Sequence, residues 1–151
     1  MRALLDVNVL LALLDPDHVH NQMALEWFEA QTEGWATCPI TQAGFARVAS
    51  QDRYPHPVTT RAALGLLEAA TADEAHEFWP CDLAVTDKIW LDRERILGPA
   101  QLTDAYLLAL AVSRAGRFVT LDRRVAVNAV VGAKPDQLVV LATPCSRNLC
   151  T

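Results

Sequence analysis

The sequence lacks the features that would place it in a membrane or in an oxidising compartment. No apolar run approaches the roughly 18 residues needed to cross a bilayer, and Asp6 interrupts the apolar run at the N-terminus. We therefore expect no membrane span, no secretory signal and a cytoplasmic protein. The cysteines form no C-x-x-C pair, so reduced structural thiols are a better interpretation than a zinc site or a disulfide. They are Cys38, Cys81, Cys145 and Cys150.

Positive charge is also scarce. The 151 residues include 13 Lys and Arg against 18 Asp and Glu, a net charge of −5. This balance argues against a sequence-independent coat on nucleic acid, but it allows an enzyme with a metal-filled acidic pocket and basic walls. The hydrophobic content of 52% is enough for a core. The length predicts one domain over residues 1–151, with an irregular tail from about residue 143.

Short apolar runs alternate with helical patterns along the chain. The predicted strands include "ALLD", "WATCP", "HEFWP", "RFVTL" and "LVVLA". Helices are predicted in "VNVLLALL", in residues 17–31, in "TQAGFARVASQ" with Thr41 as its N-cap, in "TTRAALGLLEAATA" and in "LTDAYLLALAVSRAG". Residues 83–100 are expected to be irregular or partly helical. The pattern predicts an α/β fold, a three-layer α/β/α sandwich whose central, mostly parallel sheet has four or five short strands.

Three aspartates stand where such a sheet gathers its functional groups. Asp6 lies inside the apolar run "ALLDVNVLLALL", Asp122 follows the strand "RFVTL", and Asp104 is expected in the first turn of the long apolar helix. Each one alone could be a helix cap. Together they predict an acidic pocket at the carboxyl edge of the sheet, where a shared divalent cation would compensate the buried charge of Asp6.

Four segments in order, "LLDVNVLLAL", "ATCPITQAGFARV", "LTDAYLLALA" and "FVTLDRRV", resemble the PIN-domain ribonucleases, especially the VapC toxins of bacterial toxin–antitoxin pairs. The resemblance covers nearly the whole chain. It implies a PIN-like fold and an endoribonuclease that depends on Mg²⁺, for which Mn²⁺ can substitute. Asp6, Asp104 and Asp122 match the residues that bind the metal. The resemblance also implies a homodimer, an RNA substrate and a small VapB-like antitoxin whose C-terminal segment lies across the site.

Three further positions match the family pattern or depart from it. Asn8 resembles the residue that supports the first aspartate by hydrogen bonding, and Thr120 resembles a hydroxyl that lines the pocket. A helix cap and an ordinary β-branched strand residue are their structural alternatives. Gln42 stands where similar toxins carry a glutamate, and no acidic residue lies between positions 42 and 50. Gln42 is therefore a predicted catalytic-site residue that would weaken or abolish activity. Three explanations of the glutamine stay open: natural weakening, a deliberate inactivating change, or a local shift that recruits another acid.

Basic side chains near these motifs are candidates for RNA contacts. Arg47 follows Gln42 on the same predicted helix, Arg53 lies in the next connection, and Arg123 and Arg124 directly follow Asp122. Phosphate contacts from these arginines would make binding weaken as salt is added. Their structural alternative is a solvated helix face.

Two other functions remain open. A catalytically inactive PIN-like module could bind an antitoxin or RNA without cleaving, and only Gln42 favours this reading. A phosphohydrolase with an aspartate nucleophile at Asp6 would call for a second aspartate two positions later, where this sequence has Asn8. The phosphohydrolase is therefore the weaker hypothesis.

Overall fold

A five-stranded sheet forms the centre of the protein in a computed structural model that describes residues 1–142. The strands are β1 (Ala3–Leu5), β2 (Trp35–Thr37), β3 (His76–Phe78), β4 (Arg117–Thr120) and β5 (Leu138–Val140). Their order is β3-β2-β1-β4-β5, and all four pairings are parallel. The predicted irregular tail, with Cys145 and Cys150, lies outside the described residues. Within the described part of the chain, no helix is long and apolar enough to span a membrane.

Helices cover both faces of the sheet, as the sequence predicts. They are α1 (Val7–Leu14), α2 (Asn21–Glu29), α3 (Pro39–Ala49), α4 (Thr60–Thr71) and α5 (Pro99–Ser113). Because successive strand residues point to opposite faces, Leu4 and Phe118 pack with α5 on one side. Leu5 and Val119 pack with α1, α3 and α4 on the other. These two fully buried clusters confirm the three-layer architecture.

Two helices begin earlier than the sequence predicts. Helix α3 starts at Pro39 with Cys38 as its N-cap, so Thr41 is not the cap. The Thr41 hydroxyl instead accepts a hydrogen bond from the backbone N–H of Cys38 at 3.0 Å, and proline suits the first helical position. Helix α5 starts at Pro99, which places Asp104 in its second turn rather than its first.

The centre of the sheet contains its topological switch point. Strands β1 and β4 are neighbours, while the chain leaves β1 towards β2 and leaves β4 towards β5. Ligands of parallel α/β sheets bind in the crevice outside the carboxyl ends of such strands. Asp6 directly follows β1, and Asp122 follows β4 after one intervening residue.

Gly44 lets α3 approach the beginning of α1. A Cβ atom at this position would lie 2.5 Å from Cγ2 of Val7, which is closer than any real contact. Since Val7 directly follows Asp6, this close approach brings α3, which carries Gln42, beside the switch point.

Candidate active site

The Asp6 carboxylate is held by the protein's own hydrogen bonds. Asp6 is the N-cap of α1 and is only 7% exposed. Its Oδ1 accepts from the backbone N–H of Val7 at 2.7 Å, and its Oδ2 accepts from the Thr120 hydroxyl at 2.6 Å. Burial raises the pKa of Asp6, these hydrogen bonds oppose the rise, and the charge of Asp122 adds to it. Part of the compensation expected from a cation is therefore supplied by hydrogen bonds.

Thr120 connects the ends of the two central strands. Its hydroxyl donates to Asp6 and accepts from Asn8 Nδ2 at 3.2 Å and from the backbone N–H of Asp122 at 3.0 Å. Asn8 Oδ1 accepts in turn from the backbone N–H of Leu121 at 3.1 Å. Thr120 is fully buried, so it lies beneath the site and does not line an open pocket as predicted. Asn8 supports Asp6 mainly through Thr120.

Asp122 forms an ion pair with Arg124. Arg124 Nη2 lies 3.0 Å from Oδ2, and Arg124 Nε lies 3.1 Å from Oδ1 of the same carboxylate. The side-chain hydrogen bonds of Arg124 lower the pKa of Asp122, and the backbone N–H of Arg124 adds to the effect. The Arg124 side chain is itself 82% exposed. Arg124, one of the arginines predicted to contact RNA, is therefore already engaged with a site carboxylate. Its neighbour Arg123 is exposed as well.

Asp104 completes the acidic group from the opposite side of the sheet. With Asp122 and Arg124 it lines a cleft of about 260 Å³. Burial, together with the charges of Asp6 and Asp122, raises the pKa of Asp104 to about 6, while the charge of Arg124 opposes the rise. The three carboxylates are therefore close enough to repel one another. The other lining residues are Leu97, Gly98, Ala100 and Gln101.

The three aspartates suit a hard divalent cation without forming a ready-made cage. Within residues 1–142, no group of three or more His, Cys, Asp or Glu side chains is arranged to hold a metal ion. Mg²⁺ does not require one, because it retains several waters and commonly binds through one or two carboxylates. Carboxylate oxygens whose charges repel one another are the appropriate donors. The residues therefore fit the predicted cation, with Arg124 as the competing partner of Asp122.

Gln42 lies in the first turns of α3, and its amide nitrogen is hydrogen bonded to a residue of β2 and not to an aspartate. Its Nε2 donates to the Thr37 hydroxyl at the carboxyl end of β2, at 2.8 Å. Thr37 is fully buried and also contacts His76 Nε2 at 2.8 Å. The catalytic role of Gln42 stays a prediction. Sequence reasoning missed Thr37 and His76, because nothing in their local patterns distinguishes them from ordinary strand residues.

Comparison with known proteins finds relatives of this chain in both sequence and structure. A family model of the PIN domain matches residues 3–130. Ribonuclease VapC44 from Mycobacterium tuberculosis is 55% identical over 142 residues, which cover 93% of this chain and 100% of that protein. The crystal structure of VapC20 from the same organism, described as a sarcin-ricin loop cleaving toxin, has a TM-score of 0.55 at 13% identity. That alignment covers 76% of this chain and 85% of the VapC20 chain.

A toxin–antitoxin complex from Klebsiella pneumoniae has a TM-score of 0.53 at 21% identity, covering 93% of this chain and 98% of the matched chain. At these identities, both structures support the fold alone. The parallel sheet with its acidic edge and the matching family model define the class, and the chain belongs to the PIN-domain family. Its relatives within that family include VapC44, so the predicted resemblance is confirmed.

Proposed function

We propose that this chain is the toxin of a toxin–antitoxin pair and hydrolyses RNA phosphodiester bonds with the help of Mg²⁺, for which Mn²⁺ can substitute. Similarity to a protein named ribonuclease VapC44 over nearly the entire chain supports the activity. The proposed metal site rests on the convergence of Asp6, Asp104 and Asp122 at the switch point. There the other two charges raise the pKa of Asp104. A cation would relieve that repulsion.

In this proposal the three aspartates bind the cation and the surrounding residues fix their geometry. A bound divalent cation polarises the phosphodiester and activates water for its hydrolysis. Thr120 and Asn8 hold Asp6 in place through the hydrogen bonds described above. Asp104 must lose its proton to bind a cation, and its pKa is about 6 without one. Activity should therefore fall as the pH is lowered, with a midpoint that moves below 6 as Mg²⁺ is added, because the cation competes with the proton.

We assign RNA contacts to exposed arginines, one of which lies in the acidic cleft. Arg124 lines the cleft, and Arg47 and Arg123 have exposed side chains. The substrate phosphates offer Arg124 an alternative to Asp122, because a guanidinium binds phosphate and carboxylate in similar bidentate geometry. Arg53 lies further along, in the exposed connection after α3, and is assigned to the same contacts.

The antitoxin would bind the helical layer that carries α1 and α2. An apolar cavity of about 170 Å³ lies there, and it could receive an apolar side chain from an amphipathic helix of a partner. Similarity to a chain of a toxin–antitoxin complex supports a partner of this kind. The predicted homodimer belongs to the same proposal. The cavity is lined by Leu10, Leu13, Leu14, Leu25, Phe28, Trp35, Ala70 and Asp73.

The proposal is tested by incubating the purified chain with total RNA in Mg²⁺, in Mn²⁺ and in EDTA. We expect cleavage with either cation and none in EDTA. Asp6→Asn should abolish cleavage, whereas the exposed Asp52→Asn should leave it unchanged as the matched control. Cleavage that persists in EDTA, or in Asp6→Asn, would contradict the proposed site.

The alternative is a PIN-domain protein that binds without cleaving, and Gln42 favours it. Gln42→Glu adds a carboxylate at this position, and we expect it to cleave RNA faster than the natural chain and to arrest growth more strongly when expressed alone. If the natural chain and Gln42→Glu both leave RNA intact, the binding module is the better description. If both cleave equally well, position 42 does not belong to the catalytic site.

A further inference from the structure

Three side chains form a hydrogen-bonded chain that runs from the carboxyl edge of the sheet to its edge strand β3. Gln42 Nε2 lies 2.8 Å from Thr37 Oγ1, and Thr37 Oγ1 lies 2.8 Å from His76 Nε2. The chain runs from α3 across the end of β2 to the edge strand β3. Thr37 is fully buried, so its hydroxyl has no water with which to exchange these partners.

The direction of these hydrogen bonds follows from which atoms carry hydrogen. An amide nitrogen can only donate, so Thr37 Oγ1 accepts from Gln42 Nε2. The single hydroxyl hydrogen of Thr37 is then free for a second partner, and His76 Nε2 accepts it in the tautomer that carries the ring proton on Nδ1. With its nitrogen engaged, the Gln42 amide leaves Oε1 as its free end.

The surroundings of His76 favour this accepting state. Its ring lies against Trp35 with the ring centroids 4.6 Å apart. Burial is the largest influence and lowers the pKa of His76, as does the charge of Arg2, while the charges of Asp73 and Glu77 oppose the shift. The backbone of Thr71 also hydrogen bonds to the ring and raises the pKa, as a carbonyl acceptor does. Because Nε2 faces Thr37, we assign that bond to Nδ1–H.

Reversing the direction would leave the amide orientation unfixed. If His76 Nε2 carried a proton, Thr37 would accept from the ring, and its own hydrogen would become available to Gln42. The Gln42 amide could then present Oε1 to Thr37 and leave its NH₂ group as the free end. An amide oxygen attracts a cation or accepts from a coordinated water, whereas an NH₂ group repels the cation.

We propose that His76 is a positioning residue which, through Thr37, holds the Gln42 amide with Oε1 as the end left free for a divalent cation or its coordinated water. The inference rests on the proposed function, because it assigns Gln42 to the same site. It also explains how a glutamine can serve where a glutamate is expected. A carboxylate has two equivalent oxygens, whereas a glutamine contributes an oxygen only when its orientation is fixed.

The first test reads the hydrogen-bond direction without any RNA. Nitrogen-15 NMR of the purified wild-type chain at pH 8 should show His76 with Nδ1 protonated and Nε2 unprotonated. The Gln42 side-chain NH₂ should show contacts to the Thr37 side chain. The opposite tautomer of His76 would overturn the proposal, and this outcome is independent of whether the chain cleaves RNA.

The second test measures Mg²⁺ affinity by calorimetry. Thr37→Val, which keeps the shape but loses the hydroxyl, should weaken Mg²⁺ binding about tenfold, as is usual for groups that orient ligands. Thr37→Ser should restore it. In a Gln42→Glu background, Thr37→Val should have a much smaller effect, because orientation no longer matters. Equal losses in both backgrounds, or no loss in either, would overturn the proposal, even in a chain that cleaves RNA.

Discussion

Asp104→Asn should stabilise the metal-free protein at neutral pH while it abolishes cleavage. The pKa of Asp104 rises from its ordinary value of 3.8 to about 6 because of burial and the charges of Asp6 and Asp122. A rise of about two units, at about 1.4 kcal/mol per unit, sets an upper limit of about 3 kcal/mol. Asp104 is partly exposed and solvent screens its interactions, so we expect a gain of about 1–2 kcal/mol in the free energy of unfolding.

The pH dependence of this gain identifies its cause. A carboxyl group whose pKa is raised on folding binds more protons in the folded state, so the stability of the natural chain falls as the pH rises from about 4 to about 6. The asparagine variant lacks this loss. The stability difference should therefore be small at pH 4, grow between pH 4 and 6, and stay constant above that range.

Urea denaturation in EDTA at pH 4, 5, 6 and 7.5 measures this difference, with Asp52→Asn as the exposed control. Adding Mg²⁺ at pH 7.5 should narrow the gap, because the cation binds and stabilises only the natural site. A gain of equal size at pH 4 and at pH 7.5 would refute the electrostatic explanation. A loss of stability at pH 7.5 would show that the Asp104 carboxylate is already compensated within the protein.

Further substitutions at Thr120, Arg124 and Gly44 test the structure around the site. Thr120→Val should lower the free energy of unfolding by about 1–3 kcal/mol, because it leaves the buried partners of the hydroxyl unsatisfied. Thr120→Ser keeps the hydroxyl and should retain most of the stability in the same urea assay. Arg124→Ala should raise Mg²⁺ affinity in calorimetry, because Asp122 loses its competing partner, and should lower the salt slope of RNA binding by about one. Gly44→Ala should lower the free energy of unfolding by about 1–3 kcal/mol, because the added methyl group would clash with α1. Gly65 has open space around it, so Gly65→Ala should stabilise α4 by about 0.5–1 kcal/mol. Equal effects of the two substitutions in thermal unfolding would contradict this packing.

Much of the fold and the location of the site follow from pattern alone. Alternating strands and helices predict a parallel sheet, and a parallel sheet brings the carboxyl ends of all its strands to one edge. Asp6 and Asp122 each follow a buried strand, so their placement at that edge needs no knowledge of strand order. The sequence does not indicate that β1 and β4 are neighbours, and it is this adjacency that brings the two aspartates together at the switch point.

The remaining features depend on contacts between residues that are distant in sequence, or on competition between local signals. The hydroxyl of Thr120 meets Asp6 across 114 positions, and no local pattern marks that pairing. Thr41 is a favoured N-cap residue, but Pro39 already fits the first helical position, so the helix begins there and the Thr41 side chain bonds back to its start. Local propensity identified the helix correctly and placed its N-cap three positions too late.

The three aspartates are compensated unequally, and this inequality bears on how a cation would enter. Hydrogen bonds serve Asp6 and Arg124 serves Asp122, whereas Asp104 has no side-chain hydrogen bond or ion pair within residues 1–142 and has a pKa raised to about 6. A cation must therefore compete with Arg124 for Asp122. Under the proposed function, RNA phosphate would draw Arg124 away and free that carboxylate, so the cation and RNA should each bind more tightly when the other is present. If Mg²⁺ affinity is the same with and without a non-cleavable RNA, the exchange of partners at Arg124 does not take place.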